Sequence, residues 1–232
     1  AFVLPESLPP ERRRAFSLAR ANPAGALLTL RRDGALVALL GVVLLYQIAH
    51  DANPAVWTYY TMYKFDWTEA TVGLSLGLVG LTSALVQGFA VGPVVRQLGE
   101  PRTVVLGLLA MALCFVGIGI APDGWMVLVL VVPYCMGGVA MPALRGIMAN
   151  RTADDAQGEL QGAVTSTVSL AAILAPLLMT RTFERFSGAD AAPHFPGAPF
   201  VLAAGLALLG MTAFVWTLRY RGKPRSPALD ET

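Results

Sequence analysis

The chain has 232 residues, of which 55% are hydrophobic and only 14% charged, and its formal net charge is +2. A soluble domain averages about 25% charged residues, so this composition excludes an ordinary water-facing globule, and so small a positive excess gives no support for nucleic-acid binding. Cys114 and Cys135 both fall inside apolar runs, where they read as small packing residues rather than as a disulfide framework.

Residues 1–33 contain no complete membrane-length run. Residues 1–4 read as the last turn of an earlier helix that Pro5 ends. Residues 5–33, with Pro9, Pro10 and the triplet Arg12, Arg13 and Arg14, read as a polar cytoplasmic linker with a short helix near 24–30. The chain opens on Ala and has no signal-peptide layout, so a fragment of a longer protein is expected.

Six long apolar runs follow, at 34–63, 71–95, 103–121, 124–148, 162–180 and 199–218. Each is near or above the ~20 residues with which an α-helix crosses ~30 Å of hydrocarbon. Only helices and closed barrels satisfy their backbone inside a bilayer, and the runs lack the alternation of barrel strands. The expected fold is therefore an all-α membrane protein, with six transmembrane helices over 34–220 and a charged, proline-broken cytoplasmic tail at 221–232.

Positive residues set the expected orientation. The linker carries Arg12, Arg13, Arg14, Arg20, Arg31 and Arg32; later turns on the same side carry Arg96, Arg102, Arg145 and Arg151, then Arg219, Arg221, Lys223 and Arg225. The opposite side carries only Lys64, Arg181 and Arg185. Fourteen against three predicts that both ends face the cytoplasm.

Polar residues inside the runs are the candidates for function. The first run holds Tyr46, Gln47, His50, Asp51 and Asn53 near its middle, followed by Pro54. Gln47 is three and four residues from His50 and Asp51, which stacks them on one helix face. A charge at bilayer depth costs roughly 3 kcal/mol and normally faces a bundle interior or a wet cavity. One reading is proton coupling or substrate contact; the other is that Pro54 opens a wet notch that these groups merely fill. Both stand at this point.

The second run offers Ser83 and Gln87, and the amide of Gln87 needs partners if it is buried. The fourth offers Tyr134, with Arg145 near its cytoplasmic end expected to snorkel to headgroups. Gln161, Thr165 and Ser169 form a stripe on the fifth, read either as close helix packing or as part of a cavity.

Several chemistries find no support. GLSLG at 73–77 matches the Gly-x-Ser-x-Gly nucleophile pattern, but it lies inside an apolar helix, where its glycines suit helix packing better. There is no Walker sequence, and His50 and His194 are isolated, so neither ATP-driven transport, nor a metal, nor a cofactor, nor an enzymatic activity is expected.

Between the second and third runs stands GPVVRQLGEPR (92–102), with Gly92, Arg96, Gly99 and Arg102. This segment resembles the cytoplasmic loop motif of the major facilitator superfamily. GGVAMPAL (137–144), QGELQG (157–162), APLL (175–178), LPES (4–7) and EPRTVVLG (100–107) further resemble the second half of the tetracycline-resistance-type drug/proton antiporters. The resemblance implies that the six runs are helices seven to twelve of a twelve-helix secondary transporter, with a six-helix N-terminal half as partner and with a small molecule and protons as cargo. Two departures accompany it. Ser83 falls where tetracycline exporters carry a functional histidine, and Met111 where they carry a membrane-embedded aspartate. A substrate other than metal–tetracycline is therefore expected. The alternatives are uptake of a metabolite by the same fold, or a six-helix structural module complete in itself.

Overall fold

The structure, a computed structural model, describes residues 33–188 and 191–221. The expectations for 1–32 and for 222–232 lie outside the described residues. Every regular element among the described residues is helical. Six helical spans are long and apolar enough to cross a membrane: Gly34–Phe65, Glu69–Leu98, Glu100–Ile120, Gly124–Arg151, Asp154–Ser187 and Ala198–Tyr220.

Span one comprises α1 (Gly34–His50) and α2 (Ala52–Phe65), separated at Asp51. Asp33 starts α1 by accepting the Ala35 amide at 2.8 Å. The break has a local cause. Pro54 lacks the N–H that would bond the His50 carbonyl four residues back, and the Tyr134 hydroxyl donates to that carbonyl instead, at 3.5 Å. A neighbouring helix thus satisfies what the proline frees.

Span two runs through α3 (Glu69–Leu85), a π turn (Val86–Ala90) and α4 (Val91–Leu98). The π turn stands just before Pro93, where an α ladder would lose a bond and clash with the preceding turn. Span three is the single helix α5 (Glu100–Ile120), entered through Gly99 at φ 76° and ψ 156°, with Pro101 in its first turn. Span four is α6 (Gly124–Gly137) and α7 (Ala140–Arg151), interrupted at Gly138–Val139.

Span five, after the short turn Asp154–Ala156, is α8 (Gln157–Ser187), 31 residues long and well beyond the apolar run 162–180. Its hydroxyls keep the helix self-satisfied where hydropathy falls: Ser166 bonds Gly162 O at 2.9 Å, Thr167 bonds Ala163 O at 2.8 Å, and Thr180 bonds Pro176 O at 2.7 Å. The Gln157 side chain donates to Ala149 O and Thr152 O, both at 3.0 Å, and so closes the end of α7. Span six is α9 (Ala198–Arg221).

The spans pack in the order five, one, six, three, four, two. Phe200 of α9 is central, within 4.8–6.3 Å (ring centroids) of Tyr60, Phe115 and Trp57. Apolar helices gain little by leaving lipid for one another, so close packing decides. At the α5–α6 crossing, a Cβ on Gly107 would lie 2.9 Å from Gly137 O, and one on Gly137 would lie 3.0 Å from Gly107 O. Two glycines let those backbones touch.

On the opposite rim Lys64 caps α5. Its Nζ donates to Gly119 O and to the Tyr60 hydroxyl, both at 3.1 Å, and Tyr60 in turn donates to Ile118 O. A cation at a helix C-terminus also meets the negative end of the helix dipole.

Spans two and five are the least covered. Only Val72, Ser75 and Val86 of span two are buried. Cβ atoms built on Gly73, Gly77, Gly80 and Gly88 would meet nothing within 4 Å. The close packing expected of Gly73 and Gly77 is therefore not made with any described residue.

Candidate functional site: a polar cavity between spans one, two, three and four

A cavity of about 380 Å³ opens where span one breaks. Span one contributes Tyr46, Gln47 and His50; span two contributes Ser83 and Gln87; span three contributes Met111. Span four contributes Tyr134, Cys135, Gly138, Met141, Pro142 and Arg145. The interruptions of regular helix explain why these groups converge. Pro54 bends span one beside His50, the π turn carries Gln87, and the Gly138–Val139 interruption separates Tyr134 from Arg145.

The aromatic wall is a stack. His50 lies between Tyr46, at 5.9 Å and 18° between ring planes, and Tyr134, at 6.3 Å and 22°. Behind it, Asp51 Oδ1 accepts the Gln47 side-chain amide at 2.8 Å and lies 3.3 Å from His50 Nδ1. The Asp51 side chain is 19% exposed and that of His50 43%. The carboxylate is thus held one layer back by two groups that face the cavity. A proton added to Asp51 would remove the negative charge that strengthens both contacts, and on Oδ1 itself would turn their shared acceptor into a donor.

Six of the ten residues singled out for coupling or substrate contact line this cavity: Tyr46, Gln47, His50, Ser83, Gln87 and Tyr134. Asp51 touches two of them. Asn53 is 4% exposed, and its Nδ2 has no partner among the described residues. Gln161 and Thr165 are brought elsewhere, to the exposed face of span five, while Leu160, Ala163, Val164, Ala171, Ala175 and Met179 form its buried face. Ser75 of the nucleophile-like pattern is fully engaged in packing. It accepts Trp57 Nε1 at 2.9 Å and donates to Val72 O at 2.7 Å.

Arg145 and Met111 are cavity residues that the polar pattern alone did not assign. Arg145, expected to snorkel to the headgroups, is exposed and also lines the cavity. A signal for it exists: Tyr134, Gly138, Met141 and Arg145 recur at spacings of four, three and four, one face of a helix.

The loop motif also differs from expectation. Gly92 faces open space, and a Cβ on Gly99 would come no nearer than 4.0 Å to its closest neighbour, the Pro101 ring. Gly99 is required by its backbone conformation rather than by close approach. Arg96 and Arg102 are exposed. The motif residue with a built contact is Glu100, whose carboxylate lies 3.4 Å from Asn150 Nδ2 and fills the space beside Gly146 where a Cβ would stand.

The family model described as Major Facilitator Superfamily matches residues 34–232. The chain is 31% identical over 212 residues to the tetracycline resistance protein, class C, of Escherichia coli, covering 91% of this chain and 52% of that protein. It is 38% identical over 180 residues to the class G protein of Vibrio anguillarum, covering 78% of this chain and 44% of that one. A rat protein named hippocampus abundant transcript-like protein 1 is 24% identical over 238 residues, covering 94% of this chain and 47% of its own length. The chain thus spans about half the length of the curated relatives it matches.

Proposed function

The chain belongs to the Major Facilitator Superfamily, and on that premise we propose that it forms the C-terminal half of a secondary transporter exporting a small amphipathic molecule in exchange for protons. The observation that carries this reading is the cavity: helix breaks in spans one and four and a π turn in span two gather rings, amides and a guanidinium within otherwise apolar helices. Irregular helix at membrane depth is tolerated where it lines such a space.

The cavity also supports a cargo other than tetracycline. Ser83 and Met111, the two departures from the antiporter pattern, are both walls of it. Asp51 serves as the proton carrier in this proposal. It couples because its protonation alters the Gln47 and His50 contacts, and with them the wall that meets cargo. A group occupied equally in the inward-open and outward-open states could not couple a gradient to movement.

A second six-helix half is the proposed partner, seated on spans two and five. The open glycines of span two and the exposed Gln161, Thr165 and Ser169 of span five suit a helix neighbour or a wet path better than lipid. The halves rock about the cavity, both ends of this segment lie in the cytoplasm, and the membrane is the bacterial inner membrane. The uncovered faces of spans two and five favour paired halves over a self-sufficient six-helix module.

The test is accumulation of cationic, neutral and anionic aromatic dyes in everted vesicles that contain the full-length gene product under an imposed pH gradient. Accumulation that collapses with the gradient is the expected result. Accumulation that ignores the gradient would remove proton exchange, and its complete absence would remove the transport reading.

A further inference from the structure

Resting on that transport reading, we propose that the cavity selects organic anions, specifically flat aromatic molecules bearing a carboxylate or a similar acidic group, with Arg145 as their counter-charge.

Arg145 is a wall of the cavity and makes neither a hydrogen bond nor an ion pair with any described residue. It stands six residues inside the end of α7 at Arg151, about 9 Å along the helix at 1.5 Å per residue. A guanidinium within a membrane span is expected to face a partner charge or water. The walls hold no carboxylate. Asp51, one layer behind, already accepts from Gln47 and faces His50. The fixed charge that the cavity offers to a ligand is therefore positive.

The other walls fit the rest of such a molecule. Tyr46, His50 and Tyr134 present near-parallel rings beside which a flat aromatic system can lie. Met141 supplies adaptable apolar surface, with the buried Met111 packed behind the wall. The planar fork of Arg145 matches a carboxylate in two parallel hydrogen bonds, which a neutral amide of the same shape cannot return with equal strength. A cationic analogue would meet like charge.

The experiment measures equilibrium binding of three tritiated probes that share one ring system to the detergent-purified full-length gene product carrying this chain: 2-naphthoate, the neutral 2-naphthamide, and the cation 2-naphthylmethylammonium. The expected result is that naphthoate binds about tenfold tighter than the amide, which corresponds to about 1.4 kcal/mol, and that the cation binds most weakly. R145Q should bring naphthoate to the level of the amide while leaving amide binding within about twofold, and R145K should retain part of the preference. The proposal is overturned if naphthoate binds no tighter than the amide, or if R145Q keeps the preference, as a headgroup anchor would. Equal weakening of all three probes by R145Q would also overturn it, because that is the signature of a structural ion pair. Movement of the three probes in everted vesicles separates the two readings. Gradient-driven transport without anion preference sinks the charge inference alone, whereas neither binding nor transport sinks both.

Discussion

Replacing Gly99 by alanine isolates a single physical effect. Gly99 has φ 76° and ψ 156°, a region that residues with a Cβ scarcely enter, and holding such a residue there costs about 1–3 kcal/mol. No clash adds to this, since the nearest atom to a built Cβ is the Pro101 ring at 4.0 Å. The expected loss is therefore backbone strain alone, about 2 kcal/mol, or a fall of about 4–8 °C in Tm for a unit of this size. Gly92 supplies a control of opposite sign. It lies within the continuous helical span two with nothing within 4 Å of its Cβ position, and alanine there should stabilise by up to about 1 kcal/mol. Thermal unfolding of the purified full-length protein, monitored by intrinsic tryptophan fluorescence, reads both variants. G99V should add transport loss at unchanged membrane insertion, because Gly99 sets the angle at which Glu100 meets Asn150. A Gly99→Ala protein that melts at or above the parent, or one that melts together with Gly92→Ala, would refute the reasoning.

Asp51→Asn should abolish pH-driven accumulation in everted vesicles while downhill exchange of a bound dye persists; full gradient-driven transport in that variant would return Asp51 to a filling role around the Pro54 break. Lys64→Met should destabilise by about 1 kcal/mol in denaturant titrations, because the Gly119 carbonyl loses its side-chain donor, and an unchanged midpoint would show that water replaces it. Single cysteines at 66–69 and 191–194 should react with an impermeant maleimide from outside intact cells, and those at 96–102 only after permeabilisation; labelling of both sets from one side contradicts the arginine asymmetry.

The spans were legible because bilayer thickness translates directly into run length, and the break in span one because a proline behind Gln47, His50 and Asp51 announces itself. Other features were hidden for physical reasons. Hydropathy reports how apolar a helix is, not how its turns are indexed, so the π turn at Val86–Ala90 and the interruption at Gly138–Val139 left no clear mark. A glycine in sequence does not say whether it is needed for a close backbone, as at Gly107 and Gly137, or for its φ, as at Gly99. Arg145 reads as an anchor in the sequence, because positive residues near span ends usually are, and its second place, on the cavity wall, does not show there. Its place on one face with Tyr134 emerges only when α6 and α7 are laid along the same axis. The stripe at Gln161, Thr165 and Ser169 gives the converse case: a regular spacing identified a face without revealing that the described bundle leaves it open.

The π turn in span two has an effect on how this helix can change over generations. A π turn accommodates an extra residue relative to the α ladder on either side. One residue corresponds to about 100° of rotation about the helix axis. Deleting a single residue from Val86–Ala90 would let the ladder close as ordinary α-helix and leave Pro93 and Arg96 near their present azimuth, because the wide turn takes up its extra residue with little added rotation. The part of the span before the turn stays where Ser75 pins it to Trp57. Span two can in this sense lose one codon within the turn without re-aiming either part, whereas a deletion in the α segments on either side of it would rotate everything beyond by about 100°.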